Sequence, residues 1–402
     1  MPEVAPLCRA APGTGSAKPG SGEWSRTGSL ILLASSAMFP DFDYAARLGR
    51  LRSLMAGRGI DVALLSTGAD LPYFTGYEAM PLERLTMLAV PRAGDAILVV
   101  PRLEAPRVVG RREAFTTRAW DETEDPVSIV AGIVGSPRRV AIADPTWSVF
   151  LLGLQEALPK AEFSSATPLT RELRMRKEPE EINWLRHAAE ATDRVVERLG
   201  EIRFAGRPER AVAADIAAMT VAEGHDLSTF TILASGPNSA SPHHETGERT
   251  VAVGDSIVLD FGGRSHGYHS DTTRTLHVGV PSPEFGAAFG VLEEAQAVGR
   301  AAVAPGVPAQ DVDRATRAVI ADAGYGDHFI HRTGHGIGLE GHEHPYIVEG
   351  NELPLETGMT FSIEPGIYLP GEFGMRIEDI VAVAAGGIDE LNRSDRGLRI
   401  VE

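Results

Sequence analysis

A single cysteine in 402 residues, Cys8, leaves the chain with no partner for an internal disulfide and no thiolate set for a structural zinc cage. A reducing, cytoplasmic setting is the expectation. Also missing is any apolar run near the ~20 residues that a membrane-spanning helix requires. Positive charge is scarce: 38 Lys and Arg stand against 55 Asp and Glu, a formal net charge of −17, and the bases form no cluster. Nucleic-acid binding, which depends on neutralising phosphates, is therefore not expected. Together these absences point to a soluble protein with neither membrane nor nucleic acid as partner.

What is present suggests two domains, because a chain of this length exceeds one typical core. Residues 1–37 are rich in Gly, Ser, Pro and Ala without periodicity, and read as a disordered or mis-assigned extension that a start at Met38 would remove. Their apolar stretch at residues 30–34 is shorter than the ~7 to 15 residues of a secretory signal core. Tyr44, Leu48, Leu51 and Met55 then recur at helical spacing, Gly57 and Gly59 end the helix, and Val62-Ala63-Leu64-Leu65 reads as a buried strand. Strand-like runs at 85–90 and 96–100 form a hairpin around Gly94-Asp95, and another strand covers 140–143. Residues 38–165 are thus expected to form a small α/β domain, with a connection over 166–180. In Glu178-Pro179-Glu180-Glu181 a first-turn proline and acids at the positive helix end mark a helix start. From there 181–402 form a second domain, with helices near 211–222, 285–304 and 310–323.

Acidic residues sit in that domain where strands should be oily. Asp260 ends the run Ser256-Ile257-Val258-Leu259, Glu364 follows Phe361-Ser362-Ile363, and Glu378 lies between Ile377 and Asp379-Ile380-Val381. Burying an unpaired carboxylate costs several kcal/mol, so such groups are normally neutralised by a cation, protonated or bound to metal. Arg376 shares a strand face with Glu378 and pairs with at most one of them. Gly254, Asp260 and Gly262 also match Gly358, Glu364 and Gly366 at one constant offset, which suggests an internal duplication with the two acids at equivalent points of a pseudo-twofold sheet. Asp271 lies across Gly262-Gly263 and Gly267 from Asp260, a spacing suited to adjacent antiparallel strands, and His335 stands among glycines that allow close approach. Four carboxylates and one imidazole suit two hard or borderline divalent ions, such as manganese, cobalt, iron or zinc. Two such ions would supply hydroxide near neutral pH and polarise a carbonyl.

The segments Leu259-Asp260-Phe261-Gly262, Ser270-Asp271-Thr272-Thr273-Arg274-Thr275, Gly334-His335-Gly336-Ile337-Gly338-Leu339, Ile363-Glu364-Pro365-Gly366-Ile367-Tyr368 and Arg376-Ile377-Glu378-Asp379 resemble, in order, the pita-bread metallopeptidases, the family of proline dipeptidase and aminopeptidase P. Ala69-Asp70-Leu71-Pro72-Tyr73-Phe74-Thr75-Gly76 is similar to the creatinase-type domain of its proline-directed branch. The resemblance implies an α+β chain: a duplicated, pseudo-twofold antiparallel sheet with helices, preceded by a smaller α/β creatinase-type domain. It implies Asp260, Asp271, His335, Glu364 and Glu378 as ligands of two divalent ions, manganese first, with Glu364 also accepting a proton from the attacking water. It places His243 and His342 against the substrate and the developing oxyanion, His331 as a further substrate contact, and Arg376 behind a ligand carboxylate. The implied activity is cleavage before proline in dipeptides or at peptide N-termini by a homodimer. A non-peptide amidohydrolase of the creatinase or ectoine hydrolase kind, or a metal-free binding protein, are the alternatives.

Overall fold

The computed structural model describes residues 39–402, so the expectations for residues 1–37 and for Cys8 lie outside the described residues. The first helix, Tyr44–Arg58, is started by the Asp43 side chain, which accepts the Ala46 N–H at 2.8 Å, and is stopped at Gly59 with φ 67°. Gly57 stays inside it; the left-handed turn needs only the second glycine. The following strand, Val62–Leu65, is buried on both faces: Ala63 and Leu65 join Leu48, Leu51 and Met55, whereas Val62 and Leu64 join Val130 and Leu154. That strand lies inside a six-stranded mixed sheet ordered Phe115–Trp120, Ala96–Pro101, Met87–Pro91, Val62–Leu65, Arg139–Ile142, Glu162–Ser165. A strand covered by helices on both sides has no polar face to show, which is why its sequence runs apolar without alternation.

The span 166–180 differs from a simple connection. Thr167–Arg174 is a helix whose Leu169 enters the same core as the first helix. Beyond it Pro179–Arg198 begins as expected, with Glu178 and Glu181 forming a reciprocal capping box.

The remainder is built twice. Helices Pro179–Arg198 and Glu209–Ala222 are followed by a sheet ordered Arg399–Val401, Thr272–Val278, Ser256–Ser265, Leu227–Ser235; the short Arg399–Val401 strand is its one parallel member. Helices Pro283–Ala301 and Ala309–Asp322 are followed by a sheet ordered Glu343–Ile347, Gly334–Gly336, Thr360–Ile363, Asp379–Ala384, Gly387–Glu390, antiparallel throughout. Details repeat as well. Gly254 and Gly358 both turn through positive φ, 94° and 92°, before the strands that lead to Asp260 and Glu364. Pro208 bridges Thr250 as Pro308 bridges Pro354. The two sheets meet at one bridge, Thr273 to Glu378, and that seam is where the acidic residues converge.

Candidate metal centre and cleft

Glycines make the convergence sterically possible. A Cβ at Gly262 would stand 2.1 Å from the Ser270 carbonyl oxygen, so only glycine lets the Asp260 strand close onto the chain that carries Asp271. A Cβ at Gly334 would stand 1.9 Å from the Ser362 oxygen, which holds His335 against the Thr360–Ile363 strand. Glu364 follows that strand, its N–H bonded to the Thr333 oxygen at 2.8 Å, and the Glu378 N–H reaches the Thr273 oxygen at 3.1 Å.

All five expected ligands come together. His335 Nε2 lies 3.4 Å from Glu364 Oε1, 3.6 Å from Asp271 Oδ2 and 3.9 Å from Glu378 Oε1. Ligand atoms of His335, Glu364 and Glu378 lie within 4.8 Å of one another, and so do those of Asp260, Asp271 and Glu378, so Glu378 belongs to both groups. Asp260 Oδ1, Asp271 Oδ1 and Glu378 Oε1 are buried without a hydrogen-bond partner. The opposite oxygens of two of these acids are held: Asp260 Oδ2 accepts from Arg376 Nη2 at 2.6 Å, and Glu378 Oε2 accepts from Thr273 Oγ1 at 2.7 Å. One oxygen anchored and the other turned inward, unsatisfied, is the arrangement a cation requires; left alone, each orphan carries a desolvation penalty of ~1–3 kcal/mol or more.

The titration behaviour agrees. Burial, followed by the charges of Glu378, Asp260 and Glu364, holds the Asp271 carboxyl well above its usual range. Burial, then Glu364 and Asp260, does the same for Glu378. Burial lifts Glu364 to about 7, and burial presses the His335 imidazole down to about 3. So crowded a set of acids beside a neutral imidazole fits divalent ions with oxygen and nitrogen ligands.

Around the cluster runs a second set of contacts. The guanidinium of Arg376, expected behind a ligand carboxylate, is buried and donates to Asp260, to Thr273 Oγ1 at 3.0 Å and to the Tyr368 hydroxyl at 3.0 Å. Thr273 therefore links Arg376 to Glu378. Ser362 Oγ donates to Glu364 Oε1 at 3.0 Å and accepts the His335 N–H at 3.0 Å. The ring of His335 presents Nδ1 to the Gly336 oxygen at 3.1 Å, which leaves Nε2 to face the acids.

The cluster forms the floor of a cleft of about 590 Å³ lined also by Pro242, His243, Ile330, His331, Arg332 and His342. His342 is exposed and stacks obliquely on His335, centroids 3.7 Å apart. Partial desolvation by the cleft wall and the nearby Arg332 charge hold it below its ordinary value, and its Nδ1 accepts from Arg332 Nη2 at 3.3 Å. The proton of neutral His342 is thereby assigned to Nε2. His243 also lines the cleft, from the chain before the Ser256–Ser265 strand. His331 lines the cleft, but both its ring nitrogens are taken, Nδ1 by the Arg332 oxygen at 2.8 Å and Nε2 by the Tyr368 hydroxyl at 2.9 Å. It thus offers substrate only its ring surface.

Sequence reasoning assigned no role to Thr273, Ser362, Tyr368 or Arg332. Thr273 was within reach, since it lies two residues from Asp271 on the same strand face. Ser362 stands two residues from Glu364 in the same way. Tyr368 and Arg332 meet Arg376 and His342 across turns of 8 and 10 residues, spacings that no strand or helix period marks.

Comparisons with known proteins find relatives that align over most of the chain. The sequence model of metallopeptidase family M24 matches residues 183–385, and that of the creatinase/prolidase N-terminal domain matches residues 47–176. The probable dipeptidase PepE of Mycobacterium tuberculosis is 43% identical over 363 residues, 89% of this chain and 96% of its own. The Xaa-Pro dipeptidase of Lactobacillus helveticus is 34% identical, over 88% of this chain and 98% of its own. Among solved structures, dipeptidase PepE from Mycobacterium ulcerans superposes with a TM-score of 0.85 at 44% identity, covering 90% of this chain and 100% of its own.

Proposed function

The chain belongs to metallopeptidase family M24 and is a metal-dependent peptidase; we propose that it is a two-metal dipeptidase that cleaves the amide bond before proline. Supporting this reading above all are the three buried carboxylate oxygens that point inward without a partner. Asp260, Asp271, His335, Glu364 and Glu378 would hold two divalent ions, manganese foremost. Such ions, when bound, polarise the scissile carbonyl and bring the pKa of water near neutrality.

The protein's own groups do the rest. Ser362 holds Glu364 Oε1, so Oε2 accepts the proton of the attacking water and passes it to the departing proline nitrogen. His342 directs its Nε2–H at the developing oxyanion, and His243 meets the substrate. Pro242, Ile330 and the ring of His331 give an apolar wall that suits a pyrrolidine ring. Arg332 stacks on Tyr346 at 4.4 Å and forms no ion pair among the described residues. A guanidinium at the cleft without a carboxylate partner among the described residues favours a substrate whose carboxylate is close to the scissile bond, hence a dipeptide over a longer peptide. A homodimer in the cytoplasm completes the proposal; light scattering tests the first part.

Two measurements test the core of it. Metal analysis after dialysis should find about two divalent ions per chain, and none retained would return the protein to a binding role. A release assay should then favour dipeptides with proline second over tripeptides, creatine and ectoine-type rings. Turnover of the non-peptide compounds alone would make the chain an amidohydrolase of another kind.

A further inference from the structure

His243 sits on a loop, and the chain around it must decide where it points. Behind that loop lies Glu209, the first residue of the Glu209–Ala222 helix, with its side chain fully buried. Its Oε1 accepts the Ser235 N–H at 2.8 Å, Ser235 Oγ at 2.7 Å and Asn238 Nδ2 at 3.0 Å. Its Oε2 accepts from His244 Nε2 at 2.9 Å and from the Gly247 N–H at 3.3 Å. Two of these partners precede His243 in sequence and two follow it. One carboxylate therefore ties both limbs of the loop to a rigid helix end, while Arg376 Nη1 approaches the Pro242 oxygen at 3.4 Å from the cleft side.

The internal duplication supplies a control. Ala309 opens the Ala309–Asp322 helix as Glu209 opens its own: the Glu209 N–H bonds to the Arg249 oxygen, and the Ala309 N–H to the Leu353 oxygen, each at 2.9 Å. The same supersecondary unit thus closes with alanine at this point. Burying a carboxylate is costly unless its oxygens are saturated, so an acid present only in the half that bears the His243 loop calls for a reason beyond folding. Five donors and the helix N-terminus compensate the charge. Against the pull of burial, the hydrogen bonds from Ser235, His244 and Asn238 keep the carboxyl below its ordinary value, so it stays an acceptor at neutral pH.

We propose that Glu209 is a positioning residue for the reaction, a buried clamp that holds the loop at residues 235–247 so that His243 faces the substrate. This rests on the reading that His243 meets substrate. Glu209→Gln keeps the shape but confronts at least one N–H with the amide NH₂, whichever way the amide turns. The expected result is a roughly ten-fold loss of kcat with metal content unchanged and KM within about two-fold. In a His243→Ala background the same substitution should lower kcat by less than about two-fold, because the group it positions is gone. His244→Ala removes a single donor and should cost about three-fold in kcat, again only when His243 is present. Full activity in His243→Ala sinks the reading of His243 and this proposal with it. A slow His243→Ala in which Glu209→Gln or His244→Ala still exerts its full further loss, or loss of metal in Glu209→Gln, overturns the clamp alone.

Discussion

Replacing Glu364 by glutamine in the metal-stripped protein isolates the strain that the ion cluster carries when no cation is bound. Burial holds this carboxyl at about 7 instead of 4.5. Because the folded state then binds the proton more tightly than the unfolded chain, the contribution to stability is fully present below pH 4.5 and is lost as the pH rises through 7. A rise of that size corresponds to about 3 kcal/mol, most of which is lost between pH 5 and pH 8. Glutamine has nearly the same shape and cannot ionise, so the variant escapes the loss. For a chain of this size the difference amounts to about 3 °C in Tm. Thermal unfolding of both stripped proteins at pH 5, 6.5 and 8 measures it, and the variant should gain on the parent toward alkaline pH. Self-repulsion of a chain with net charge −17 changes with pH in both proteins and drops out of the difference. A gap that stays constant across the range, or that closes as the pH rises, would refute the argument that the burial of Glu364 is only partly compensated without a cation.

Other substitutions probe the remaining contacts. Asp271→Ala should abolish turnover and second-ion occupancy by metal analysis, and full activity with metal supplied would remove the mechanism. Arg376→Met takes away the donor to Asp260 and Thr273, so metal affinity should fall ~10- to 100-fold; calorimetric titration showing unchanged affinity would contradict its place behind Asp260. Arg332→Met should lower kcat/KM for a dipeptide by at least about ten-fold, the order expected for a charge-assisted bond, and clearly less for the corresponding dipeptide amide, which shares only the loss of the contact to His342 Nδ1. Equal losses on both substrates would mean that Arg332 does not read the carboxylate.

Much of the fold was legible because local rules and tertiary environment agree. The spacing of Tyr44, Leu48, Leu51 and Met55 reports one helix face, and Gly59 supplies the left-handed stop. In Val62–Leu65 the unbroken apolar run reports burial on two sides. The match between the Gly254 and Gly358 segments follows from the duplication, since both strands are entered through the same positive-φ turn. Where local signals were weak the reading was poorer. Thr167–Arg174 is short, charged and begins with proline at its first turn, and only the seating of Leu169 beside the first helix shows that it belongs to the N-terminal core.

The candidate site divides along the same line. Residue type and neighbourhood were enough to single out Asp260, Glu364 and Glu378, because a carboxylate inside an apolar strand is a local anomaly with an energetic cost wherever the strand is placed. Tertiary structure alone decided which oxygen of each acid is anchored and which is left facing inward, that His331 is spent on Tyr368, and that Glu209 braces the loop of His243. Those facts depend on contacts between groups tens to more than a hundred positions apart, as Arg376 is from Asp260. No short stretch of sequence encodes them, since a hydrogen bond is set by distance and angle in space and not by order along the chain.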